Sequence, residues 1–107
     1  MKINVQSIHF DADVQLLAFI EKKGSKLAQF FDQIIDAEAI LRLEKSSVDH
    51  KNKLVEFKVN IPGQLLFAKD HAKSFEEAVD LCVESLRKQI VKHKEKLAAH
   101  AAAGQVI

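Results

Sequence analysis

The sequence predicts an α+β fold in the order β-α-β-β-β-α, a four-stranded mixed sheet with two helices on one face. Three observations predict it. Residues 35–44 and 54–61 alternate apolar and polar, the period of two of half-buried strands. Two longer stretches, from Val14 and from Ser74, carry apolar residues at helical spacing. Pro62-Gly63 separates two strand-like runs, as a tight hairpin turn would.

Each element follows from local pattern. Lys2–His9 reads as the first strand, with Ile3, Val5 and Ile8 apolar. Asp13 can cap a helix by accepting from the unpaired N–H groups of its first turn. That helix runs from Val14 to about Phe31, with Leu16, Leu17, Ile20, Leu27, Phe30 and Phe31 as its expected buried stripe. Gly24 falls on the stripe, where the lack of a side chain lets another segment approach closely.

In the second strand, Ile35, Ala37, Ala39, Leu41 and Leu43 point one way; Asp36, Glu38, Ile40, Arg42 and Glu44 point the other. After a polar loop over 45–52, Val55, Phe57, Val59 and Ile61 alternate with Leu54, Glu56, Lys58 and Asn60. The fourth strand covers about Gln64–Asp70, with Phe67 facing outward. Ser74, with Glu77 three residues on, forms a capping box that opens the last helix. Phe75, Ala78, Val79, Cys82, Leu86, Ile90 and Leu97 make its stripe. A β-α-β start demands a parallel pair with a right-handed crossover, and the hairpins add antiparallel strands. The reading is one domain over 1–99 and a flexible tail over 100–107.

The last helix has two electrical ends. Asp70–Glu84 carries a net −4, and Ser85–Leu97, with Arg87, Lys88, Lys92, Lys94 and Lys96 against Glu95, a net +4. The whole chain sums to only +1, so the basic block is local. Acid first and base last also complement the helix dipole. That effect fades within one turn, however, and the basic run spans nearly three. Lys88, Lys92 and Lys96 recur every four residues, so they stack and repel unless an anion lies along them. The pattern fits a grip on a phosphate backbone, with a merely solvated face as its rival.

Other chemistry has little support. With 48% hydrophobic and 29% charged residues the composition is that of an ordinary globule, and no apolar run reaches the ~20 residues of a membrane span. The first residues read as a strand, unlike a secretory leader. A single cysteine, Cys82, lies on a core stripe, which fits a packed thiol in a reducing cytoplasm. The five histidines are not spaced to share a metal, and the three glycines form no phosphate loop. No carboxylate pair stands out as acid and base. The expectation is a non-enzyme with no catalytic residues, cofactor, metal or small-molecule substrate. Most of the seven Phe residues fall on core stripes, so bound nucleic acid would be held by shape and phosphates.

Ser74–Leu97, SFEEAVDLCVESLRKQIVKHKEKL, resembles the last helix of the ribosome hibernation-promoting factor and ribosome-associated inhibitor family, also known as sigma-54 modulation proteins. That helix carries an AID-type start and an RQ-x-x-KHK end. Here the start is Ala78-Val79-Asp80 and the end is Lys88-Gln89-Ile90-Val91-Lys92-His93-Lys94. KLAQFFDQI, Lys26–Ile34, is similar to the family's KLxxYFDxI, and LRLEK, Leu41–Lys45, is a third match. Lys88 stands where the family has arginine, keeping the charge without the planar fork. Phe30 stands where tyrosine is common.

The resemblance implies a factor of stress and stationary phase. It would bind the small ribosomal subunit and its rRNA in the mRNA/tRNA channel near the decoding centre, inhibiting translation and stabilising idle ribosomes. It implies rRNA contacts at Lys23, Lys26, Lys45, Lys88, Lys92 and Lys94; Arg87 and Lys96 join them on charge alone. Length implies the short form, without the C-terminal domain that joins two ribosomes. The expected state is cytoplasmic, away from membranes, and monomeric when free. The alternatives are a double-stranded RNA-binding module not tied to ribosomes and a protein-interaction domain using the open sheet face. The acidic start of the last helix counts against the first of these.

Overall fold

The protein is described by a computed structural model covering the backbone of residues 3–44 and 51–105, with side chains up to residue 98. The elements are β1 (Ile3–Ile8), α1 (Val14–Phe30), β2 (Asp36–Leu43), β3 (Lys53–Ile61), β4 (Gln64–Ala72) and α2 (Phe75–Gln105). Lys2, Lys45 and the rest of 45–50 lie outside the described residues.

The strands lie in the order β1-β2-β3-β4, with β1 parallel to β2 and the other two pairs antiparallel. This is the expected mixed sheet. Register places Ala39 opposite Phe57 and Phe57 opposite Ala68, so one small residue on each side makes room for the ring. Both helices cover that face. α2 packs on β3 and β4, while α1 packs against α2 and touches β1. Ile20, Leu41, Phe57, Val59, Val79, Leu86 and Ile90 are fully enclosed in one core cluster, and no polar side chain among the described residues is buried.

Local signals explain the boundaries. Asp13 Oδ1 accepts from Leu16 N–H at 2.7 Å, and Ser74 Oγ accepts from Glu77 N–H at 3.1 Å, so both helices begin on caps legible in the sequence. The Pro62-Gly63 turn closes the β3–β4 hairpin, with Gly63 at φ +77°. There a side chain would be strained. Gly24 is buried against Ile3 of β1 and Phe57 of β3, the close approach that its position on the stripe implied.

Several expected core positions differ. Leu17 and Phe30 sit on the flanks of the α1 stripe and are exposed. Ile35, just before β2, is 63% exposed, and Leu43, at the far end of β2, is also exposed. Alternation held the correct phase there, but the sheet's ends extend past the helices' cover. Leu97 is exposed for a related reason. α2 has 31 residues, about 46 Å at 1.5 Å each, and overruns strands of about 30 Å. The helix continues to Gln105, past Leu97, the last residue of its expected stripe, and into the stretch read as a tail, where alanines are the strongest helix formers. Leu54 alternates onto the polar sheet face as expected, yet it is only 2% exposed and stands apart from the main core cluster.

Candidate nucleic-acid interface

The basic residues of α2 are divided between its two flanks. Arg87 lies on the flank facing α1, in a groove lined by Lys23, Lys26, Phe30, Asp80 and Glu84. Lys92 and Lys96 lie on the other flank, in a shallow groove with Gln64, Leu66, Gln89 and His93 beside the β3–β4 turn. Lys88, one turn before Lys92, belongs to the same row. The structure therefore brings together Lys23, Lys26 and Arg87, and separately Lys88, Lys92 and Lys96. It does not bring all of them to one wall.

The two sets also differ in what they touch. In the groove, Lys23 Nζ is 3.2 Å from Asp80 Oδ1 and 5.4 Å from the centre of the Phe19 ring. Arg87 binds Glu84 through both ends of its fork, Nη2 to Oε1 at 2.6 Å and Nε to Oε2 at 3.1 Å. The hydrogen bond from Arg87 is the main reason the Glu84 carboxyl is held below its ordinary pKa, with the charges of Arg87 and Lys88 adding to it. Glu84 thus remains ionised across the physiological range. On the opposite flank, none of Lys88, Lys92 and Lys96 has a carboxylate within ion-pair distance among the described residues.

Lys94 belongs to neither set. It turns toward α1, donates to the carbonyl of Phe30 at 3.3 Å and lies over that residue's ring. Beside it, Phe31 meets His93 edge to face at 5.7 Å. Gln89, inside the basic run, donates to the carbonyl of Phe67 on β4 at 2.8 Å and to Ser85 Oγ at 3.3 Å. It holds the row against the sheet edge. Lys45 lies outside the described residues.

Sequence reasoning missed Asp80 and Glu84 as partners of the basic residues. The Glu84–Arg87 spacing of three was available as a signal. The Lys23–Asp80 pair, 57 residues apart in sequence, was not.

Among the described residues no helix is long and apolar enough to cross a membrane, and no cluster of His, Cys, Asp and Glu could hold a metal. Two helices packed on one face of a mixed sheet, with basic residues on both flanks of the second, define a small two-layer α+β domain. Residues 3–98 match the model of the sigma 54 modulation protein / S30EA ribosomal protein family, and the chain belongs to that family.

Relatives agree along nearly the whole length. The chain is similar to the ribosome hibernation promoting factor of Azotobacter vinelandii, 30% identical over 90% of this chain and 85% of that one. It is 28% identical to the factor of the same name from Escherichia coli K12, over 94% of this chain and 100% of that one. Among solved structures, the fold is that of a ribosomal subunit interface protein from Coxiella burnetii. The TM-score is 0.76 and the identity 24%, over 89% of this chain and 99% of that one. The N-terminal domain of Thermus thermophilus Protein Y has the same fold, with TM-score 0.73, 21% identity, and 87% and 99% covered.

Proposed function

We propose that this protein is a ribosome hibernation factor. It binds the small ribosomal subunit through rRNA phosphates in the channel for mRNA and tRNA near the decoding centre. It acts there as a stoichiometric blocker of translation, without turnover or cofactor, in the cytoplasm, and is a monomer when free. Family membership and relatives named for hibernation support the class of activity.

The observation that carries the RNA reading is the row Lys88, Lys92, Lys96, which has no carboxylate partner among the described residues. Three like charges stacked one turn apart lower the stability of a free helix, and a phosphate backbone relieves that repulsion. Lys26 and, on exchange of their carboxylate partners, Arg87 and Lys23 extend the contact into the groove between α1 and α2.

The test is co-sedimentation of the purified protein with small and large ribosomal subunits at graded salt, alongside an in-vitro translation assay. The expected outcome is saturable binding to the small subunit, a steep loss with salt, and inhibition that saturates near one protein per ribosome. Equal binding to any double-stranded RNA would favour the unattached RNA-binding alternative. Binding indifferent to salt would favour protein contacts on the sheet face.

A further inference from the structure

The groove between α1 and α2 contains its own anions. Two of its three cations are engaged, Lys23 by Asp80 and Arg87 by Glu84, while Lys26 has no carboxylate partner among the described residues. We propose that Asp80 and Glu84 are internal competitors of RNA phosphate. Each carboxylate occupies a groove cation in the free protein and yields it to a phosphate oxygen on binding, so the pair sets how tightly the factor holds and how readily it leaves. This inference rests on the ribosomal reading above and deepens it.

The geometry supports exchange over a purely structural role. Glu84 and Arg87 lie three residues apart on one helix and tie no two elements together. Their side chains are about half exposed, at 51% and 48%, so solvent and an incoming anion can reach both. The two-pronged bond that Arg87 makes to Glu84 is the same fork it would present to a phosphate. Lys23 and Asp80 do link α1 to α2, but Asp80 is also half exposed. Exposed pairs of this kind are weak, so a phosphate can displace the carboxylate. Glu84 lies next to Lys88 in the helix rows as well, and its charge is felt by both cation sets. A blocker that must release ribosomes when growth resumes is served by anions that re-form these pairs as it leaves.

The experiment measures binding to purified small ribosomal subunits at several salt concentrations. The variants are Glu84→Gln and Arg87→Gln, singly and together, with Asp80→Asn and Lys23→Gln as a parallel set. Glu76→Gln, at the start of α2, removes the same charge outside the groove. Melting curves confirm that each variant folds. Glu84→Gln is expected to tighten binding about two- to fivefold, and to steepen the salt slope by up to about one unit as Arg87 becomes available. In the Arg87→Gln background that gain should fall by at least half, and Glu76→Gln should give less than Glu84→Gln.

An equal gain in both backgrounds, or an equal gain from Glu76→Gln, would overturn the proposal in favour of a general field effect. No gain from Glu84→Gln while wild type binds would overturn the proposal alone. Failure of the wild-type protein to bind small subunits would overturn the ribosomal reading, and this inference with it.

Discussion

Lys94 reaches from α2 to the last turn of α1, where its Nζ lies 4.5 Å from the centre of the Phe30 ring and 3.3 Å from the Phe30 carbonyl oxygen. No basic residue of α1 itself stands in that last turn. Lys94 therefore supplies the positive charge that the negative end of α1 lacks, from the neighbouring helix.

The first prediction separates this role from RNA binding. Lys94→Gln should destabilise the protein by about 1 kcal/mol, the scale of one cation–π contact together with a helix-end charge. The check is urea unfolding, where the midpoint should fall at constant slope. An unchanged midpoint would mean that the contact with Phe30 contributes nothing.

The free row should behave in the opposite way. Lys88→Gln, Lys92→Gln and Lys96→Gln together should reduce the salt slope of small-subunit binding by about two units, at roughly 0.7 per phosphate contact. Stability should be unchanged or slightly higher, because the row repels itself. A triple variant that binds like wild type but melts earlier would make the row structural.

The third prediction concerns the close approach of Ile3 to Gly24. A Cβ at Gly24 would collide with Ile3 Cδ1 and lie 3.4 Å from Phe57 Cζ. Gly24→Ala gains helix propensity, roughly 1 kcal/mol, yet should be destabilising overall because Ile3 must shift. Ile3→Val removes the colliding methyl. The double variant should therefore be less destabilised than the sum of the two singles, by at least about 0.5 kcal/mol in a double-mutant cycle. Strict additivity would show that Ile3 is not the obstacle.

The fourth concerns Cys82, buried beside Val55 and donating to its carbonyl oxygen at 3.4 Å. Burial first, and the charge of Asp70 second, push its thiol from an ordinary 9.0 to about 12. The folded state keeps this proton where the unfolded chain sheds it. The contribution is complete below pH 9 and is lost as pH climbs from 9 toward 12. Wild type should lose stability relative to Cys82→Ala across that window, and the native thiol should resist labelling at pH 8 until denaturant is added. Rapid labelling of the native protein would place the thiol outside the core.

The strands, caps and hairpin turn were legible because each rests on near neighbours: Asp13 on Leu16, Ser74 on Glu77, Pro62 on Gly63. The facing of Ala37, Leu41, Phe57 and Val59 followed from the period of two. What escaped were facts about extent and partnership. Leu43 and Leu97 keep the periodicity of the core but lie where the opposite layer has ended. The row Lys88, Lys92 and Lys96 was legible from its spacing of four, but the placing of the other cations was not. Helix geometry does put Lys88, Lys92 and Lys96 on one flank, but Arg87 and Lys94 fall on the other. Asp80 and Phe30, which decide what Lys23 and Lys94 do, come from sequence-distant contacts that no local pattern encodes.

The bond from Gln89 to Phe67 has a consequence for self-association. β4 is an edge of the sheet, and an edge strand exposes main-chain groups that a second strand can zip onto. With the carbonyl of Phe67 already taken by a side chain from α2, a strand arriving there must first break an existing hydrogen bond. The neighbouring Leu65 and Phe67 side chains, exposed on the open face, would otherwise invite such growth. One amide inside the basic run thus also guards the sheet against extension into a ribbon of copies.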